Sequence, residues 1–110
     1  MRLGILELSV LALGVFPAQA ISQSLSSQPL SGAMLGNTCA GCHGTLGASK
    51  NEIIPPLAGT DPAQFASTMR AYRDGSLKGT IMNRVARAFS DAEIDAMAAY
   101  FSSLPKKAYE

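Results

Sequence analysis

Residues 39–43 read Cys-Ala-Gly-Cys-His and contain both cysteines and the single histidine of the 110-residue chain. This constrains the fold more than any periodicity does, because whatever these three side chains hold must sit against one short segment. Two thiols at i and i+3 can bond to the two vinyl groups of one porphyrin, and an imidazole directly after the second thiol then lies under the iron. Other uses of the pattern lack parts. A zinc site needs about four ligands, so this chain would have to add carboxylates or a second molecule. A thioredoxin-type dithiol belongs in a βαβ setting, and no alternating strand pattern flanks the motif. A plain disulfide would leave His43 without a role. The motif therefore assigns Cys39 and Cys42 to thioether bonds with one covalent haem c, and His43 to the iron as an axial ligand.

The N-terminus reads as an export signal. Arg2 provides a small positive region, Leu8 to Phe16 is almost unbroken apolar sequence, and Ala18-Gln19-Ala20 is a small-x-small cleavage pattern. Glu7 is the one interruption. The apolar run is shorter than the roughly 20 residues of a spanning helix, so cleavage after Ala20 is expected to leave a mature chain, residues 21–110, with no membrane span. That chain carries eight basic and seven acidic residues. Such a balance lacks the clustered Lys/Arg of a nucleic-acid surface. Ninety residues make one domain with a marginal core, for which a covalently held macrocycle would act as a staple.

The expected domains are a signal peptide (1–20), a Ser/Gln-rich flexible leader (21–29) and one domain over 30–110. Leu30, Met34, Leu35 and Thr38 share helical spacing, which predicts a short first helix from Leu30 to about Cys39. Its Gly32 and Gly36 permit close approach of another backbone. Residues 44–60 are rich in Gly, Pro and Asn and read as a loop. Asp61-Pro62-x-Gln64 is a helix start; Phe65, Met69 and Tyr72 fall on one face behind it, and Asp74-Gly75 ends it. Ser90-x-x-Glu93 is a capping box, followed by the stripe Ile94, Met97, Ala98, Phe101 and closed by Leu104-Pro105. No useful stretch alternates with period two, so the domain is expected to be all-α with long loops.

An iron held by His43 has a second axial position, and no second histidine exists. A thioether is the usual alternative, and it raises the reduction potential. Met34 is too near Cys39 to reach around a macrocycle, while Met69 and Met97 lie in apolar helical stripes where core packing explains them. Met82 follows the loop Gly79-Thr80-Ile81 and precedes a short basic turn, so it is the candidate second ligand, against the plainer role of filling a core gap. The free nitrogen of an axial histidine usually donates to a carbonyl. Pro55 or Pro56 could present that carbonyl, or both could be simple loop punctuation.

In order, these elements resemble the class I cytochrome c family: a short helix, Cys39-Ala40-Gly41-Cys42-His43-Gly44, Pro55-Pro56-Leu57-Ala58-Gly59, a loop methionine, and a C-terminal helix ending Ala99-Tyr100-Phe101. The resemblance implies that fold, with three to four helices and long loops wrapped around one haem. It also implies that Pro55 carries the carbonyl bonded to the haem histidine, and that the first and last helices cross, with Leu35, Tyr100 and Gly32 as candidates for the crossing. Haem c is attached outside the bacterial cytoplasm in this family, in keeping with export to the periplasm.

The run from Phe65 through Met69-Arg70-Ala71-Tyr72-Arg73-Asp74-Gly75, Thr80-Ile81-Met82-Asn83-Arg84-Val85-Ala86 and Phe89-Ser90-Asp91-x-Glu93-Ile94 is similar to the haem subunit of flavocytochrome c sulfide dehydrogenase. There a flavoprotein oxidises sulfide and passes electrons through the haem subunit to a soluble cytochrome or oxidase. The expected function is thus one-electron transfer by a monohaem protein that is no enzyme by itself. Arg84 and Arg87 could steer an acidic partner or simply form a solvated face. The alternatives are a free electron shuttle, a sensor or peroxidase-like protein with an open iron position, and a structural module with a Cys39–Cys42 disulfide.

Overall fold

The computed structural model describes residues 29–106. The expected signal peptide, all but the last residue of the 21–29 leader, and residues 107–110 lie outside the described residues. Within them the chain forms five α-helices and a 3-10 turn: α1 (Gly32–Asn37), α2 (Ala40–His43), the turn Thr45–Gly47, α3 (Pro62–Asp74), α4 (Met82–Ala86) and α5 (Asp91–Ser103). No strand occurs among the described residues, and the all-α architecture is as expected.

The first helix is shorter than predicted. Ser31 caps it by accepting from the Met34 N–H. It ends at Asn37, where the Thr38 hydroxyl donates to the Leu35 carbonyl at 2.6 Å. Leu30 and Met34 stay exposed, leaving Leu35 and Gly36 as its buried residues. Its crossing with α5 is the expected one, at Leu35, Gly32 and Tyr100, and the packing face is built largely from glycine. A Cβ on Gly32 would overlap the Ala96 carbonyl, and one on Gly36 would stand 2.7 Å from the Tyr100 ring. Both glycines therefore let α5 approach α1 closer than any side chain would permit.

α3 starts and stops where its signals lie. Asp61 accepts from the Gln64 N–H, Pro62 takes the first helical position, and Gly75 adopts a left-handed φ of 87° with its N–H on the Ala71 carbonyl. Around α5 both halves of the Ser90/Glu93 capping box form. Its predicted stripe is the centre of the core: Ile94, Met97 and Phe101 are fully buried beside Ala98, against Leu35, Phe65, Ala66, Met69 and Ala86. Burying a side chain of this size contributes on the order of 1.5–3 kcal/mol. Met69 and Met97 are thus core residues.

α3 packs on both α4 and α5. At the α3–α5 seam, Asp91 accepts from Arg70 Nε at 2.8 Å and from an Arg73 guanidinium nitrogen at 2.7 Å, while Arg70 also reaches Asp95 at 2.8 Å. Arg73 donates besides to the Phe89 carbonyl at 3.1 Å. Hydrogen bonds from Arg70 and then Arg73 hold the Asp91 carboxyl below its ordinary pKa of 3.8. The Ser90 backbone N–H, then its hydroxyl, does the same for Glu93 from 4.5.

Both carboxylates bind protons less readily folded than unfolded, so their contribution is complete above the ordinary carboxylate range and is lost as pH falls through the lowered values. Thermal unfolding followed from pH 7 to pH 2 should show a falling midpoint below about pH 4. The double variant Asp91→Asn, Glu93→Gln should be less stable at pH 7 and show a shallower acid slope.

Candidate functional site

The residues Cys39 to His43 are placed by α1 and then turned. Cys39 caps α2, accepting on its carbonyl from the N–H groups of Cys42 and His43. A four-residue helix thereby carries both thiols and the imidazole as one unit. Both thiols are free, so the disulfide alternative is not adopted here. Cys42 is exposed and Cys39 is half-buried. Burial pushes the Cys39 thiol above its ordinary pKa, against the lowering effect of a hydrogen bond with Thr38. Among the described residues no three His, Cys, Asp or Glu side chains gather as a metal-holding cluster, so a zinc site finds no additional ligands there.

Among the described residues, His43 is the one buried polar or charged side chain. Its Nδ1 lies 2.7 Å from the Pro55 carbonyl oxygen. A carbonyl can only accept, so Nδ1 carries the proton and Nε2 keeps its lone pair for a metal.

The Pro55 carbonyl is held in place by the backbone around it. After His43 the chain reverses through Gly44 (φ 81°), Leu46 (φ 54°) and Gly47 (φ 73°). The Gly47 carbonyl then accepts from both Leu57 and Ala58, at 2.6 and 3.1 Å. Upstream, Asn51 Oδ1 accepts from the Ile53 N–H at 2.7 Å, folding the approach to the prolines into a tight turn. Downstream, the Gly59 N–H donates to the Phe101 carbonyl at 2.8 Å. The 44–60 loop has little regular structure, yet it is tied at each end of the proline pair.

Met82 opens α4, half-buried. Cys39 and Met82 both pack against the same core cluster, from different elements. Arg84 and Arg87 are exposed on and just after α4. The segments that carry the candidate ligands also expose large apolar side chains: Leu46 and Ile53 between His43 and Pro55, and Leu77, Ile81 and Val85 around Met82. Apolar surface concentrated on these segments, with two free thiols and an oriented imidazole, fits a large apolar macrocycle. Sequence reasoning did not single out Gly47 or Asn83, the two residues whose backbone and side-chain bonds hold these segments. Gly47 had a signal in its place within a glycine-rich loop; Asn83 had none.

The family described as cytochrome C oxidase, cbb3-type, subunit III matches residues 32–101. The cytochrome subunit of sulfide dehydrogenase from Chlorobaculum tepidum is 38% identical over 76 residues, covering 69% of this chain and 68% of that protein. Cytochrome c-554(548) of Halomonas halodenitrificans is 42% identical over 69 residues, 60% of this chain and 83% of its own length. A thiosulfate dehydrogenase electron acceptor from Stutzerimonas stutzeri is 36% identical over 72 residues, 63% of this chain but 33% of that protein.

Gly47 and Gly75 separate the close contact from the backbone cost. Both have left-handed φ, and a Cβ at Gly75 would meet only Lys78 Nζ at 3.8 Å, whereas at Gly47 it would stand 2.7 Å from the Phe101 ring and 2.9 Å from Leu57. Denaturant unfolding should give a loss of about 1 kcal/mol for Gly75→Ala and about 1–3 kcal/mol more for Gly47→Ala.

Proposed function

This chain belongs to the class I c-type cytochromes, and on that premise we propose that Cys39 and Cys42 hold its covalent haem c by thioether bonds, with His43 Nε2 and the Met82 thioether as axial ligands. The observation that carries the ligand set is the single Cys-x-x-Cys-His unit whose imidazole is oriented by the Pro55 carbonyl. The protein is a monohaem electron-transfer cytochrome and not an enzyme by itself.

Haem c in this setting supplies a one-electron iron couple. The chain's residues hold and tune it. His43 is kept in one tautomer by Pro55, so its ring plane and basicity are set before any electron arrives. A Met82 thioether opposite an imidazole raises the reduction potential relative to two nitrogen ligands. Leu46, Ile53, Ile81 and Val85 would cover apolar macrocycle surface and keep water from it.

The partner proposed is a dehydrogenase of reduced sulfur. The relative from Chlorobaculum tepidum is named as the cytochrome subunit of sulfide dehydrogenase, and that from Stutzerimonas stutzeri as the electron acceptor of thiosulfate dehydrogenase. By the likeness of residues 65–94 to flavocytochrome subunits, the donor is a flavoprotein oxidising sulfide, and the acceptor a soluble cytochrome or an oxidase. No helix among the described residues is long and apolar enough to cross a membrane. The N-terminal signal pattern supports work in the periplasm after cleavage following Ala20. The Halomonas relative, named only as a cytochrome, keeps a free shuttle as the second reading.

The mass of the exported protein should equal residues 21–110 plus one haem; a mass without haem ends the proposal. Met82→Ala should lower the reduction potential and let the reduced protein bind carbon monoxide. Purification from the native host should bring down a flavin-containing chain, and a protein always recovered free of flavin favours the shuttle.

A further inference from the structure

Asn83, the residue after Met82, is half-buried and spends its side chain entirely on backbone. Its Nδ2 donates to the Tyr72 carbonyl at 2.8 Å and to the Leu77 carbonyl at 2.7 Å, and its Oδ1 accepts from the Gly79 N–H at 2.8 Å. The two carbonyls only accept and the N–H only donates, so the partners settle which way the amide points. Tyr72 lies in the last turn of α3, where carbonyls have no helical partner. One side chain thus joins the end of α3, the 75–81 loop and the first turn of α4.

The loop has little else to hold it near Met82. Its start is tied by the Gly75 and Leu77 N–H groups to the Ala71 carbonyl. From Ser76 to Ile81 every residue is exposed. Among the described residues, the Gly79–Asn83 bond is the one hydrogen bond made by the backbone from Lys78 to Thr80. Gly79 also lies against the Tyr72 ring, where an added Cβ would come within 2.9 Å of it and 3.6 Å of the Met82 Cβ.

We infer that Asn83 is a positioning residue for Met82: its three hydrogen bonds restrain the loop and α4 so that the Met82 thioether stays on the iron. This rests on the reading of Met82 as an iron ligand. Without the amide, Met82 would still be present but its segment would be free to swing, and the iron position would open more often. Each lost hydrogen bond is typically worth enough to change such an opening equilibrium several-fold, and together about tenfold or more.

The test uses the haem-loaded protein and its Asn83→Ala variant. The reduced forms are mixed with carbon monoxide, which can bind only when Met82 has left. Asn83→Ala should bind at least about tenfold faster than the parent, with a lowered reduction potential. Asn83→Asp loses both donations and turns a carboxylate oxygen toward the Tyr72 and Leu77 carbonyls, so it too should bind faster than the parent, and it carries the test if Asn83→Ala does not accumulate. Met82→Ala is the reference for a fully open site. If Met82→Ala binds no faster than the parent, the ligand reading and this inference both fall. If it binds fast while the Asn83 variants match the parent and only their unfolding temperature drops, Asn83 is a structural tie and the inference alone is overturned.

Discussion

The fold turns on the fully buried ring of Phe101. It lies 5.5 Å from the Phe65 ring on α3 and 5.2 Å from that of Tyr100, centroid to centroid. A Cβ on Gly36 of α1 or on Gly47 of the 3-10 turn would press into it. Its carbonyl accepts the Gly59 N–H beyond the prolines. Four segments with little regular structure between them are thus referred to one residue. In a chain with so small a core, rigidity comes from such shared contacts and from interior packing that leaves no slack.

From that joint the arrangement of the site follows on one side. Gly36 and Gly32 bring α1 against α5, which sets where Cys39 to His43 begin. Gly47, pinned under the same ring, offers its carbonyl to Leu57 and Ala58 and so brings the Pro55 carbonyl to His43. The other side is governed separately, by α3: Asn83 and Tyr72 hold the segment that carries Met82. A cytochrome that passes single electrons would gain from restraint on both sides, because movement of either proposed ligand would change the potential and admit water.

Much of this was legible in the residues. The Cys-x-x-Cys-His unit, the capping box at Ser90, the proline-led start of α3 and the core stripe of α5 are local signals, each depending on neighbours three or four positions away. The first helix is overextended by its apolar spacing, since Leu30 and Met34 stay exposed, but its crossing with α5 at Leu35, Gly32 and Tyr100 is the one the residues and the resemblance imply. Asn83 was passed over. An asparagine beside a methionine has no distinctive spacing, and its partners at Tyr72, Leu77 and Gly79 converge only once α3, the loop and α4 have packed.

The sequence by itself determined the cofactor class, the all-α character and the ends of α3 and α5, since these depend on covalent spacing and on short-range hydrogen bonds. Only the tertiary structure brings the Pro55 carbonyl to His43, where the residues alone leave Pro55 and Pro56 open, sets how closely α1 and α5 approach, and reveals what holds the Met82 segment. Those are contacts between residues from 4 to 68 positions apart, set by packing volume and by which backbone groups remain unpaired when the helices close.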